Sequence, residues 1–234
     1  MRLCVRLIEP DWEISGNVKA FFTCRENGFS EAPFDSLNLS NQVGDSDETV
    51  EKNRGLLNFS SEPHYLTQVH GTNCVPAYQA SKKVEADASF TAKRKEVLTV
   101  LVADCVPVLF SSKDGTRVGA AHAGWRGLAN GILRRTVQSI GLLPLCAWIG
   151  PCIGPCHYSV KRDVFDQFPN DVGFKEISKN HWEMDLAGIA ADQLTSLGVQ
   201  VFGGGFCTFC DEKNFFSYRR DGVTGRMGAF IWID

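Results

Sequence analysis

Val97-Leu98-Thr99-Val100-Leu101-Val102-Ala103-Asp104-Cys105-Val106-Pro107-Val108-Leu109-Phe110-Ser111-Ser112-Lys113-Asp114-Gly115-Thr116-Arg117-Val118-Gly119-Ala120-Ala121 decides how the rest of the chain is read. Residues 97–103 are an unbroken apolar run rich in β-branched side chains, the pattern of a buried strand. Residues 106–110 continue that strand beyond the polar pair Asp104-Cys105. Lys113-Asp114-Gly115 is a turn signal, and residues 117–121 form the returning strand. A hairpin deep in the fold is the expectation. Its two open ends carry Cys105 and His122, which antiparallel pairing would bring close together.

Downstream, residues 128–140 have Leu128, Ile132, Leu133, Val137 and Ile140 at helical spacing. Residues 145–149 form another buried strand, which runs into the irregular Gly150-Pro151-Cys152-Ile153-Gly154-Pro155. Asp185 is placed to cap a helix through Leu197, ended by Gly198. Residues 199–202 and 229–233 are the last strands. Upstream, residues 17–25 contain a strand and residues 28–44 form a polar loop. Asp47 caps a helix to about Leu57, and residues 65–69 form a short strand leading to His70-Gly71. Strands and helices mix without strict βαβ alternation. The expectation is an α+β fold, one domain over residues 1–234, with mixed sheets flanked by helices.

Composition narrows the function. The 234 residues are 44% hydrophobic and 22% charged, with a net charge of -3. Neither a basic excess for nucleic acid nor an acidic tail is present. The first residues turn polar at Glu9, too early for an export signal. No apolar run approaches the roughly 20 residues that span a bilayer. Nine cysteines, an odd number, suit reduced thiols in a cytoplasmic chain better than a disulfide framework. The residues are silent on oligomeric state.

Three segments interrupt apolar strands with polar residues. They are Thr67-Gln68-Val69-His70-Gly71, Ala103-Asp104-Cys105-Val106-Pro107 and Ala121-His122-Ala123-Gly124-Trp125-Arg126-Gly127. Each sets one possible metal ligand at a strand end among small residues. A thiolate with two imidazoles suits zinc, and three protein ligands leave a fourth position open, as catalytic sites do. The spacing matches no local zinc motif. The same residues fit a second reading, in which His70 and His122 are hydrogen-bonded core histidines and Cys105 is a small apolar filler.

These segments resemble the signature of the YfiH-type family, formerly called multicopper polyphenol oxidoreductases or laccase-domain proteins. The similarity runs over nearly the whole chain. It also takes in Phe34-Asp35-Ser36-Leu37-Asn38-Leu39, Glu51-Lys52-Asn53-Arg54, Phe215-Phe216-Ser217-Tyr218-Arg219-Arg220-Asp221 and Thr224-Gly225-Arg226-Met227. The resemblance implies an α+β fold, a zinc held by His70, Cys105 and His122, and purine nucleoside phosphorylase activity with adenosine deaminase activity. Adenosine, inosine, guanosine and methylthioadenosine, with phosphate, are the substrates implied. Some relatives are linked instead to editing of peptidoglycan precursors.

Deamination requires water made acidic enough to attack the purine C6, which zinc in an open site provides. Asp104 is the candidate proton carrier, or else it orients a ligand. Phosphorolysis requires a dianion to be held, which points to Arg54, Arg126, Arg219 and Arg226. Asn38 and Gln68 could bind ribose or base, or else satisfy loop backbone. A copper-dependent phenol oxidase is the alternative in the older family name, but five histidines are few for a multicopper centre. A hydrolase of cell-wall precursors and a non-catalytic metal-binding module complete the alternatives. Cys152, Cys156, Cys207 and Cys210 could form a separate four-thiolate zinc site, or stay as four free thiols.

Overall fold

The computed structural model describes residues 4–80, 84–141 and 144–234. The Met1-Arg2-Leu3 start of the segment read for an export signal lies outside them. Among the described residues no helix is long and apolar enough to cross a membrane.

In chain order the strands are β1 (Leu7–Ile8), β2 (Val18–Thr23), β3 (Cys74–Pro76), β4 (Ala88–Thr91), β5 (Leu98–Val102), β6 (Val106–Ser112) and β7 (Val118–Ala123). They continue with β8 (Leu145–Ile149), β9 (Ser159–Lys161), β10 (Phe174–Ser178), β11 (His181–Met184), β12 (Gln200–Gly203) and β13 (Met227–Ile233). The helices are α1 (Asp47–Gly55), α2 (Ala77–Ala80), α3 (Trp125–Asn130), α4 (Ile132–Ile140), α5 (Arg162–Phe165), α6 (Leu186–Ser196) and α7 (Tyr218–Asp221).

Strands β6 and β7 are buried at every position, so both faces of their sheet must be covered. They pair antiparallel as the expected hairpin, with Pro107 opposite His122 and Val106 opposite Ala123. Their sheet has six strands in the order β12-β8-β6-β7-β4-β3. Period-2 alternation sends Val106, Val108, Phe110 and Ala121 to one side, against Leu128, Ile132 and Leu133 and, from α6, Ile189. Leu109, Val118 and Ala120 point the other way, onto Phe22, Val100, Ala229 and Ile231 of a four-stranded sheet ordered β1-β2-β13-β5. The result is three layers: a four-stranded sheet, a six-stranded sheet and helices. A small third sheet, β10-β11-β9, flanks them. This is the α+β arrangement of mixed sheets and helices read from the chain.

Several local expectations change. Residues 106–112 do not extend the strand at 98–102. The chain passes there from one sheet to the other through Asp104, whose φ of +95° is rare for any residue with a side chain. The single helix expected over 128–140 is two, α3 and α4, broken at Gly131, where φ is +86°. Asp47 is the first helical residue and Ser46 holds the cap position, without a side-chain cap bond. Residues 65–69 form no strand; Thr67 makes an isolated bridge to Glu85. Helix α6 does begin as expected, with Asp185 accepting from the Gly188 N–H at 2.9 Å. The β9–β11 sheet was unforeseen because its strands are short and largely exposed at β10, without a clear alternation.

The break at Gly131 is a conformational requirement, since a Cβ there would meet nothing within 4 Å. Gly131→Ala should therefore lower stability to urea by about 1–2 kcal/mol, the penalty of a left-handed backbone for an L residue. An unchanged midpoint would mean that the α3–α4 junction can re-form as one continuous helix.

Candidate metal centre and its cleft

Three elements bring the ligands together. His70 lies in the loop before β3, Cys105 at the crossing between sheets, and His122 within β7. One ligand atom from each lies within 4.8 Å of the other two. The Cys105 Sγ is 3.8 Å from His70 Nε2, and the two imidazole rings meet edge to face with centroids 4.7 Å apart. His122 is buried, Cys105 half-buried and His70 exposed, so the trio opens toward solvent on the His70 side.

The residue that organises the trio is Asp87, which the sequence reading missed. Its side chain is wholly buried. Oδ1 accepts a hydrogen bond from His122 Nδ1–H at 2.8 Å and another from the His70 backbone N–H at 3.0 Å. Oδ2 accepts the Gly71 N–H at 2.6 Å and the Val69 N–H at 3.3 Å. With Nδ1 donating to Asp87, His122 turns Nε2 toward the other ligands, the usual arrangement of a metal-binding histidine with its carboxylate. His70 sits at φ +60°, in the left-handed region, and the Asp87 bonds to the backbone on either side hold it there. Asp87 stands alone between Ala86 and Ala88, and that isolated acid ahead of a strand was the only signal available.

Electrostatics follow from this packing. Burial alone would raise the Cys105 thiol, but the charge and hydrogen bonds of His122, then of His70, outweigh it and bring the thiol down to about 6. Burial would likewise favour neutral His122, yet the Cys105 thiolate and the Asp87 carboxylate raise it to about 9. Without metal the pair is thus a thiolate and an imidazolium, and a cation would take the place of the imidazolium proton. Gly124 lets them close: a Cβ there would stand 3.0 Å from both Cys105 Sγ and His70 Cδ2.

The trio forms one wall of a cleft of about 520 Å³, in the range of small-molecule sites. A larger hollow of about 600 Å³ beside Arg134, Arg135 and Asp192 has none of these ligands. Arg54, Gln68, Arg126, Arg219 and Arg226 line the cleft. Arg126 lies over the Trp125 ring at 4.3 Å, and Arg219 over the Tyr158 ring at 4.7 Å. Arg226 binds the carbonyls of Thr224 and Gly225. Among the described residues no carboxylate pairs with these three, whereas Arg54 bonds Glu51 and the Leu39 carbonyl. Burial pushes the Tyr158 phenol up to about 12, so it remains a neutral donor in the cleft.

Three candidates turn out to be committed elsewhere. Asn38 is fully buried and does not line the cleft. It donates to the Ser40 carbonyl and Asp45 and accepts from the Ser40 and Arg226 N–H groups, so it organises loops and leaves no atom for substrate. Gln68 clamps both the N–H and the carbonyl of Leu101 at 2.8 Å. Asp104 lines the cleft, but its oxygens accept Thr208 Oγ1 at 2.7 Å and the Arg219 N–H at 2.6 Å.

The four-cysteine grouping is also revised. Cys156, His157, Cys207 and Cys210 have ligand atoms within 4.8 Å of one another, and Cys152 is not among them. Cys152 is 2% exposed and packs into the core with Ile153. His157 takes the place expected for it.

Two outcomes follow. Asp87→Asn should weaken zinc retention by about 10–100-fold in competition with a chromophoric chelator, because the anion that orients His122 is lost. Unchanged affinity would remove Asp87 from the site. In metal-free protein, alkylation of Cys105 followed by peptide mass spectrometry should have its midpoint near pH 6, since the thiolate dominates above its pKa. A midpoint near the ordinary thiol value of 9.0 would show that the histidines do not stabilise the thiolate.

With this geometry in view, comparison with known proteins is informative. Residues 19–234 match the family described as multi-copper polyphenol oxidoreductase laccase. A Haemophilus influenzae protein named purine nucleoside phosphorylase is 40% identical over 98% of this chain and all of its own length. Purine nucleoside phosphorylase YfiH of Escherichia coli is 42% identical over 97% of this chain and 99% of its own. A Neisseria meningitidis crystal structure superposes with a TM-score of 0.93 at 40% identity, covering 97% of this chain and 99% of that one. YlmD of Geobacillus stearothermophilus superposes with a TM-score of 0.82 at 33% identity, covering 93% and 92%. The chain belongs to this laccase-like, YfiH-type family.

Proposed function

We propose that this chain is a zinc-dependent purine nucleoside phosphorylase that also deaminates adenosine. The observation that carries the reading is a single cleft lined by a thiolate–imidazole trio and by three guanidiniums that, among the described residues, have no carboxylate partner. Similarity to relatives named purine nucleoside phosphorylase adds to it. His70, Cys105 and His122 would hold the zinc, which when bound supplies Lewis acidity and acidifies water. Two imidazoles and one thiolate suit zinc and are too few for a multicopper centre.

The chain's own residues account for the rest. Arg126, Arg219 and Arg226 bind the phosphate dianion, and the stacks on Trp125 and Tyr158 keep two of these guanidiniums in place. In phosphorolysis a phosphate oxygen bonds to the ribose C1′ as the bond to the purine N9 breaks. The electron pair passes to the base, which then takes up a proton. Tyr158 is a neutral hydrogen-bond donor available in the same cleft. In deamination water adds at C6 and ammonia leaves with a proton. Asp104 is the carboxylate on the described cleft wall, and delivering that proton would require it to loosen Thr208 or Arg219. Its bonds fit better with holding Arg219 in position. An enzyme built this way acts on small soluble substrates in the cytoplasm.

Zinc-loaded protein with adenosine should release adenine and ribose-1-phosphate only when phosphate is present, and inosine with or without it. Adenosine left intact in both reactions would sink the nucleoside reading and make a serine-bearing cell-wall precursor the next substrate. Arg126→Ala and Arg219→Ala should each raise KM for phosphate about 10–100-fold, the effect of losing about 1.5–3 kcal/mol in a charged hydrogen bond. Zinc content should not change in either. An unaltered KM would remove those arginines from the phosphate site.

A further inference from the structure

The Cys156–His157–Cys207–Cys210 cluster lies outside the cleft and takes no part in the function proposed above. Cys156 Sγ and Cys210 Sγ are 3.5 Å apart, and His157 Nδ1 lies 3.2 Å from the first and 3.3 Å from the second. Cys207 Sγ completes a set of four within 4.8 Å. In a tetrahedral zinc site with Zn–S near 2.3 Å, neighbouring sulfurs stand about 3.8 Å apart. Cys156, His157 and Cys210 already stand slightly closer than a bound ion would require, and Cys207 lies within 4.8 Å of all three.

We propose that Cys156, His157, Cys207 and Cys210 form a second, structural zinc site. Four protein ligands leave no position for water or substrate, which separates structural zinc from catalytic zinc. Cys207 and Cys210 have the Cys-x-x-Cys spacing, and the Gly154 N–H donates to Cys207 Sγ at 3.2 Å. Such a donor stabilises a thiolate ligand. The His157 ring stacks on Phe209 with centroids 3.9 Å apart and planes 11° apart, which aims Nδ1 at the sulfurs. A disulfide would join two of these sulfurs, leaving the third and the imidazole without a purpose.

The ion would cross-link two segments that border the cleft. Tyr158 directly follows His157. Thr208, between the two turn cysteines, donates its N–H to the Cys152 carbonyl and its hydroxyl to Asp104. The Arg220 guanidinium binds the Thr208 and Phe209 carbonyls beneath the turn. Zinc here would fix the walls that present Tyr158 and Arg219, without touching substrate.

The test is metal stoichiometry on protein purified with reductant and without chelator, joined to absorption of the cobalt-substituted protein. Two zinc ions per chain are expected in the natural protein, and one each in Cys156→Ser/Cys210→Ser and in Cys105→Ser. The sulfur-to-cobalt charge-transfer band should fall to about one quarter in the double variant, since one of four thiolate ligands remains. His157→Cys should keep two zinc ions and strengthen that band, which guards against a double variant that fails to fold. One zinc in the natural protein with none in Cys105→Ser would overturn the proposal. So would two zinc ions in the double variant, a disulfide within the cluster, or iron with labile sulfide. One zinc in both the natural protein and Cys105→Ser, with none in the double variant, would support this site and count against the zinc centre of the cleft instead.

Discussion

The carboxylate of Asp87 sits where an unpaired charge would be most expensive, wholly buried between two sheet strands and a loop. It is tolerated because four donors converge on it: the His122 imidazole and the backbone N–H groups of Val69, His70 and Gly71. The same four bonds fix the tautomer of His122 and the backbone of His70, two of the candidate metal ligands. Burial would raise the Asp87 carboxyl, but these partners hold it below the usual carboxylate range. The local charge pattern then follows: Asp87 favours a protonated His122, and His122 favours an ionised Cys105.

The cleft beside it is a product of the three-layer fold. Its floor is the crossing at Asp104-Cys105, where neither sheet can continue regular pairing. Its rim comes from segments remote in sequence: helix α3 with Arg126, helix α7 with Arg219, and the loops that carry Tyr158 and Arg226. Two of the guanidiniums are stacked on aromatic rings and lack carboxylate partners among the described residues. They present positive charge with no carboxylate ion pair among the described residues, which is how a site for an anionic ligand is left open.

The elements that could be read from the chain were those whose signal is local. The 106–123 hairpin has apolar runs around a Lys113-Asp114-Gly115 turn, and helix α6 has Asp185 and Gly198 at its ends. Long-range consequences were not legible. Periodicity cannot tell that residues 98–102 and 106–112 enter different sheets, because that choice is made by tertiary pairing with β13 and β7. Nor can it find a break at Gly131 inside an otherwise consistent apolar stripe. In the site, His70, Cys105 and His122 were legible as a grouping through family motifs, and the structure brings them together; Asp87 was hidden because its acid matches no recognised spacing. Spacing left open whether Cys152, Cys156, Cys207 and Cys210 gather or stay free thiols, and it could not show that His157 stands beside Cys156, Cys207 and Cys210.

The sheet-to-sheet crossing has a consequence for assembly. His122 belongs to the six-stranded sheet, Cys105 to the hinge between the two sheets, and His70 to a loop pinned by Asp87. Cys105 and His122 adjoin within one local hairpin, whereas His70 is added only when its loop docks on Asp87. An ion held by all three would therefore act as a latch between that loop and the hairpin. At a free concentration one hundred times its dissociation constant it would add about 2.7 kcal/mol to the folded state. Metal supply would in this way set the lifetime of the protein as well as its chemistry.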